Sequence, residues 1–410
     1  MRTRTQVGIV GAGPAGLLLS HLLALRGIDT VLVEKRTRQY CEARQRAGVL
    51  EDGSVALLRE AGLADRLDQQ GLEHGGIYLQ FDGERRHLDF RDLTGGRTVT
   101  VYAQTEVVKD LIARRLADGG ASAIEFGVSD TEIADLDSAS PVLRYTDGAG
   151  VRHEVGCDVI AGCDGFHGIS RAAIPATVLT TWQRDYPYAW LGILADVPPS
   201  TDELIYAYHP AGFALHSLRS PAVSRLYLQV DPADDLGSWP DERIWAELDR
   251  RFALPGWSLQ RGDVLDKSIT PMRSFVSEPM RYGRLFLAGV ATHIVPPTGA
   301  KGLNLALTDV AVLAPALDAL LQGDGRLADA YSATCLNRVW RSTHFSWWMT
   351  TMLHRAPGAD EMETQLQLSQ LRYVTSSRAA AASLAENYTG SVPLLATTPG
   401  PALTHQNRGR

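Results

Sequence analysis

The chain has 410 residues, 45 % apolar and 21 % charged, and its 40 basic and 47 acidic side chains give a formal net charge of −7. These proportions exclude a disordered or fibrous chain and leave room for roughly two to four domains. The acidic balance excludes bulk attraction to nucleic acid or to an anionic membrane, and four scattered cysteines are too few for a disulfide framework, so a reducing, cytoplasmic setting is expected.

The residues from Val7 to Leu25 form a nineteen-residue stretch without formal charge. By composition alone that is a membrane span or a signal peptide. Gly8, Gly11, Gly13, Pro14 and Gly16 instead divide it into a buried strand, a tight turn and a helix from Pro14 to Leu25, so no membrane segment is expected. A second strand runs from Thr30 to Glu34. Gly11-x-Gly13-x-x-Gly16 therefore follows a strand and opens a helix, with Glu34 eighteen residues after Gly16. In that arrangement Gly11 permits the turn, Gly13 lets backbone approach a pyrophosphate and Gly16 lets helix and strand close up. The helix N-terminus offers N–H groups to phosphate, and Glu34 accepts ribose hydroxyls. This is the pattern of a dinucleotide site.

Further along, Ser54 to Ala61 reads as a helix, and Gly75 to Thr100 as an antiparallel ribbon turning at Gly83 and at Gly95-Gly96. Glu106 to Ala117 has the spacing of an amphipathic helix. Residues 141–160 read as a hairpin turning at Asp147-Gly148 and running into Gly162-Cys163-Asp164-Gly165. Residues 186–231 carry the alternation of a sheet, and Ile244 to Phe252 is a short helix. The strand from Leu285 to Ala288 ends at Gly289, followed by His293-Ile294-Val295-Pro296-Pro297-Thr298-Gly299 and Lys301-Gly302-Leu303-Asn304. Helices dominate beyond Leu303. No cluster of His, Cys, Asp or Glu has metal-ligand spacing.

In this order and spacing, the Gly11 turn, the Asp164 segment and the Gly289–Asn304 loop resemble the FAD-dependent aromatic-ring monooxygenases. The likeness extends to blocks matching the hydroxybenzoate branch of that family and runs from Val7 to about Tyr388. These blocks include Arg46 to Glu51, Thr98 to Tyr102 with Gln104, Glu203 to Tyr206, Gly212 to Leu215, Phe345 to Thr350 and Ala385 to Tyr388. The implied fold is α/β: a Rossmann-like FAD-binding domain interleaved with a mostly antiparallel substrate sheet, plus C-terminal helices. On that basis 1–73, 98–180 and 270–320 form the FAD domain and 74–97 with 181–269 the substrate sheet. Residues 321–394 form a helical interface region and 395–410 a tail.

A hydroxybenzoate needs a cation for its carboxylate and a partner that favours phenolate at the other end. Ser217-x-Arg219 puts a hydroxyl and a guanidinium on one strand face, and Tyr227 adds a donor. The resemblance places Ser217, Arg219 and Tyr227 on the carboxylate, Tyr206 on the phenol oxygen and the Pro297 carbonyl on the phenol proton. It also implies a relay from the phenol through Tyr206 and Tyr388 to a surface histidine, His74. Gly11, Gly13, Gly16, Glu34, Arg46, Gln104, Asp164, Arg225, Gly299, Lys301, Leu303 and Asn304 fall to FAD. Arg44, His167 and Arg273 fall to NADPH or NADH, and Lys35, Arg36 and Arg38 leave that choice open. The implied reaction converts 4-hydroxybenzoate and O₂ to 3,4-dihydroxybenzoate in a homodimer. A hydroxylase of another phenolic acid, or a non-catalytic flavin binder, are the alternatives. One departure stands out: Val290 follows Gly289 where the family carries an aspartate that accepts from the ribityl chain, and Thr292 replaces a small residue.

Overall fold

A computed structural model describes residues 2–44, 48–118 and 124–390. In the first of two large sheets, Arg2–Val10 lies between Thr30–Glu34 and Arg152–Gly162, with Ile124–Phe126 and Leu285–Leu287 beyond them, all parallel. Val7 and Ile9 face the helices Pro14–Ala24, Gln104–Ala117 and Gly302–Leu321. Val10 and Val33 pack on the opposite side with Leu143, Tyr145 and Val155. Burial on both faces is why the strands' central segments, Val7–Val10, Leu32–Val33, Val159–Ala161 and Leu285–Leu287, are apolar. Parallel strands also end along one edge. The loops starting at Gly11, Cys163 and Gly289 therefore converge at that edge beside Glu34, although about 280 residues separate the first from the last.

The second sheet runs His293–Ile294, Asp263–Glu278, Thr180–Asp196, Val223–Val230, Ala214–Ser220, Leu204–Ala207, Gly76–Phe81, Glu84–Asp89. Neighbours are antiparallel except Leu204–Ala207 with Gly76–Phe81. One face packs on the Asp241–Arg251 helix through Ile193, Leu226, Ile244 and Leu248. The other face, carrying Tyr206, Leu215 and Trp190, is roofed by the C-terminal helices through Phe345, Met349, Leu384 and Tyr388.

Two expectations are corrected and a third is met. The ribbon over 75–100 stops at Asp89, whose side chain accepts from Asp92 N at 3.0 Å and caps a short helix, Phe90–Thr94. The domain limits at 180/181 and 269/270 fall inside Thr180–Asp196 and Asp263–Glu278, strands that pair along the second sheet. The charge-free run from Val7 to Leu25 is split between a strand and a helix as expected, whereas Gly302–Leu321 is long and apolar enough to span a membrane. Its Leu305, Leu307, Val310, Leu313 and Leu317 are buried in the first sheet's core.

Three buried histidines make stability pH-dependent. Burial holds His74 and His216 down to about 4 and His354 down to about 3. In the unfolded chain each takes up a proton near 6.5, so acidification below that value favours unfolding until the folded-state values are reached. Each contributes up to about 1.4 kcal/mol per pH unit, about 4 kcal/mol together. Unfolding midpoints measured between pH 7 and 4.5 should fall steeply, and His354→Gln should make that slope shallower.

Candidate active site

The glycine turn is built by close approach. Gly11 has φ +103°, and a Cβ there would lie 2.5 Å from the Cys163 carbonyl oxygen. A Cβ on Gly16 would lie 2.0 Å from the Gly11 oxygen, whereas one on Gly13 would meet nothing within 4 Å, which leaves that side open. The Glu34 carboxylate accepts from Ala12 N and Arg36 N, both at 2.8 Å. Two of its roughly four acceptor sites remain for hydroxyl groups.

The other two loops are joined by a residue to which the sequence assigned no role. Arg171 donates to the Ala291 carbonyl at 2.8 Å and to the Phe166 carbonyl at 2.6 Å. Asp164 Oδ2 accepts from Ser170 N and Oγ, both at 2.9 Å. Its buried Oδ1 has no protein partner among the described residues, and burial raises its pKa. Gly289 N donates to Asp309 at 2.8 Å, and the same Oδ2 lies 2.7 Å from His293 Nε2. Between them Val290 is 44 % exposed. An open glycine turn, a carboxylate at Glu34 and an orphaned acceptor at Asp164 fit an adenine dinucleotide. The resemblance puts a carboxylate at this position; Val290 is apolar, and a charge-assisted contact is worth about 1.5–3 kcal/mol. Val290→Asp is therefore expected to tighten FAD about ten- to a hundredfold, with wild-type protein losing FAD on dialysis where the variant retains it.

Pro297–Gly299 forms a turn before the Gly302–Leu321 helix, with Ala300 at φ +53°. Gly299 is pressed against the Arg326–Leu353 helix: a Cβ there would lie 2.6 Å from Ser346 Oγ. Pro297 is exposed, and its carbonyl accepts from Ala300 N at 2.9 Å. Lys301 and Asn304 are not left free for a cofactor. Lys301 Nζ donates to Glu51 at 2.7 Å and to the Tyr388 carbonyl at 2.9 Å, and Arg338 pairs with the other Glu51 oxygen at 2.9 Å. The Asn304 amide donates to Val49 O at 2.9 Å and Ala300 O at 2.8 Å, and its oxygen accepts from Glu51 N at 2.9 Å. These side chains staple Val49–Glu51 to the helix start, which leaves the loop's backbone as what Lys301 and Asn304 can offer a cofactor. Leu303 packs half-buried on the core.

The residues expected at the substrate share one face of the second sheet. The register sets Tyr206 opposite Leu215, Leu215 opposite Tyr227 and Ser217 opposite Arg225. With period two, Tyr206, Ser217, Arg225 and Tyr227 project together. Arg219 follows Ser217 by two, at a register shift that re-aims the chain, and its Nη2 lies 3.4 Å from Thr105 Oγ1. The Ser217 hydroxyl donates only weakly, at 3.4 Å, to Leu218 O. Arg225 lies over the Tyr227 ring at 5.3 Å, a placement permitted by Gly192, where a Cβ would come 2.8 Å from Arg225 Nη2. Burial and then Arg225 pull the Arg219 pKa down, a cost that an anionic ligand relieves.

Tyr206 and Tyr388 are each 1 % exposed, with their hydroxyls 2.6 Å apart. Burial raises both pKa values, so both remain neutral phenols that can pass a proton without holding charge. His74 is not the surface histidine expected. It is 1 % exposed, and neither ring nitrogen has a partner among the described residues. Held at about 4, it stays neutral near pH 7. Any relay through it runs by receiving at one nitrogen and releasing at the other.

His167 and Arg273 meet at Phe166. The His167 ring is 4.9 Å away edge-on, and the Arg273 guanidinium lies 5.1 Å over the ring. Arg44 is elsewhere, exposed beside Tyr40, with its carbonyl accepting from Thr105 at 2.9 Å. Gln104 opens the Gln104–Ala117 helix at half burial next to Thr105. Arg46 lies outside the described residues.

Residues 4–346 match a family model described as an FAD binding domain. The chain is 47 % identical over 389 residues to the p-hydroxybenzoate hydroxylase of Acinetobacter baylyi, covering 94 % of this chain and 95 % of that relative. It is 27 % identical over 332 residues to the 3-(3-hydroxy-phenyl)propionate/3-hydroxycinnamic acid hydroxylase 2 of Burkholderia vietnamiensis, covering 78 % of this chain and 58 % of that protein. The p-nitrophenol 4-monooxygenase of Pseudomonas putida shares the fold, with a TM-score of 0.79, 20 % identity, and 96 % of this chain and 100 % of that one covered. With the glycine turn, the Asp164 loop and the Gly289 loop gathered at one sheet edge, the chain belongs to the FAD-binding-domain family, the class A flavin monooxygenases.

Proposed function

We propose that the protein hydroxylates 4-hydroxybenzoate at the carbon ortho to its hydroxyl, giving 3,4-dihydroxybenzoate and consuming O₂ and a reduced nicotinamide coenzyme, NADPH or NADH. The observation that carries this reading is the shared sheet face, with Arg219 and Ser217 at one end and the buried Tyr206–Tyr388 pair at the other. That spacing suits a carboxylate para to a hydroxyl. The first sheet's loops are the FAD site and the second sheet is the substrate site.

Arg219 binds the carboxylate through its planar fork, and Ser217 and Tyr227 add neutral donors. A substrate phenol with a pKa near 10 is mostly protonated at pH 7 and is a poor nucleophile. The Pro297 carbonyl accepts from the phenol O–H while the substrate is neutral; on deprotonation the proton passes to the Tyr206 oxygen as Tyr206 gives its own to Tyr388, and the Tyr206 hydroxyl then donates to the phenolate. Roofing by the C-terminal helices keeps water from the reacting carbon. FAD, when bound, supplies the hydride acceptor and the site of oxygen activation. His167 and Arg273 supply an electropositive face for the coenzyme, with Arg36 and Arg38 near the end of Thr30–Glu34.

A homodimer in the cytoplasm is part of the same reading. In the C-terminal helical region, Trp347 and Trp348 are partly buried against the substrate-sheet core. Met362, Leu366 and Tyr373, more than half exposed on one side of the Glu361–Ser376 helix, supply an apolar face for the contact. The four cysteines are unpaired, in keeping with a reducing compartment. A benzoate panel assayed for NAD(P)H oxidation with FAD added tests the substrate. Turnover confined to 4-hydroxybenzoate is expected, and preference for another phenolic acid would replace it.

A further inference from the structure

Behind Tyr227 stands a buried histidine to which the chemistry above gives no task. His354, just past the Arg326–Leu353 helix, is 1 % exposed. Its Nε2 accepts from Trp190 Nε1 at 2.6 Å, and its Nδ1 lies 3.0 Å from the Thr350 carbonyl oxygen. An indole N–H only donates and a carbonyl only accepts, so Nε2 carries the lone pair and Nδ1 the proton. Both ends of the ring are thereby fixed in one tautomer.

The contacts lead to both ends of the substrate face. Trp190, held at its N–H, leans on Tyr227 with ring centroids 4.7 Å apart. The His354 ring is clamped by Phe213 at 4.3 Å and Tyr188 at 4.9 Å. On the other side, the Thr350 hydroxyl lies 2.9 Å from the Thr298 hydroxyl, next to Pro297. Gln229 locks the following residue, accepting from Arg355 N at 3.1 Å and Phe213 N at 3.0 Å.

From this bracket we infer that His354 is a positioning residue for the substrate pocket, fixing Tyr227 through Trp190 and the Pro297 loop through Thr350. It touches neither substrate nor cofactor. The inference rests on the reading of Ser217, Arg219 and Tyr227 as the carboxylate site. Burial keeps the ring neutral across the physiological range, so the required tautomer persists there.

The test uses enzyme with FAD kept in excess on both sides of the membrane, equilibrium dialysis with 4-hydroxybenzoate and initial rates. His354→Phe removes the acceptor, leaving a buried indole N–H unpaired. It is expected to raise Kd and KM roughly ten- to a hundredfold. With the reacting groups untouched, kcat at saturation should stay within about threefold of wild type and FAD content should be unchanged. His354→Gln, which can accept at Oε1 and donate at Nε2, should recover most of the affinity. Trp190→Phe should reproduce the loss, and the double variant should be no worse than either single one. A wild-type KM in His354→Phe, additive losses in the double variant, or equal losses in Gln and Phe variants would overturn the inference. If His354→Phe fails to fold, Trp190→Phe and His354→Gln decide it alone. The wild-type dialysis reports separately on the substrate: if another benzoate binds, the variants are titrated with that one, and binding of none overturns both readings.

Discussion

Arg219→Ala is expected to weaken 4-hydroxybenzoate binding by about thirtyfold to several thousandfold, the largest effect of any single change at the site. Removing one partner of a desolvated, hydrogen-bonded charge pair costs about 2–5 kcal/mol. Arg219 qualifies because it is largely desolvated, although the neighbouring Arg225 retains some attraction for the carboxylate and keeps the loss below the top of that range. Arg219→Lys keeps the charge but loses the planar fork, and an intermediate loss is expected. Equilibrium dialysis with FAD kept in excess on both sides of the membrane checks both. The FAD content should not change, since Arg219 stands on the second sheet and the glycine turn on the first.

The second large effect is on rate. Tyr206→Phe should lower the rate of hydroxylation at saturating substrate by about 10²–10⁴, the usual span for a lost general base. Binding should change by less than about tenfold, because a single neutral hydrogen bond contributes about 0.5–1.5 kcal/mol. The two hydroxyls lie 2.6 Å apart and are sealed from water, so Tyr388→Phe should act in the same direction by breaking the path one step later. The pH profile separates this from misfolding. A substrate phenol ionises unaided near pH 10, so the variants' rates should climb with pH while the wild-type rate climbs less. A flat, uniformly low profile in Tyr206→Phe would show that the hydroxyl does not manage the phenol proton.

The nucleotide edge of the fold was legible because its determinants are local. Gly11, Gly13 and Gly16 take their places within one turn, and Thr30–Glu34 matches the expected strand residue for residue. Parallel pairing then makes three distant glycine loops neighbours. The substrate face was legible through period two: Ser217 and Arg219 on one strand, Arg225 and Tyr227 on the next. What failed depends on tertiary burial. His74 sits beside two glycines in sequence and looks exposed, yet the surrounding elements enclose it. Lys301 and Asn304 look like ligands of an anion until Glu51 and Val49, some 250 residues earlier, occupy them. His354 and Trp190 are 164 residues apart, and nothing local marks either as the other's partner. The helix at Phe90–Thr94 shows a short capping signal, Asp89 three before Asp92, overriding an extended pattern.

One assay bears most directly on the assignment: purified protein with added FAD, NADPH or NADH, 4-hydroxybenzoate and ¹⁸O₂, with products resolved by mass spectrometry. One ¹⁸O-labelled 3,4-dihydroxybenzoate per reduced coenzyme consumed is the expected outcome. Coenzyme oxidation without hydroxylated product, or no turnover at all with FAD bound, would contradict it.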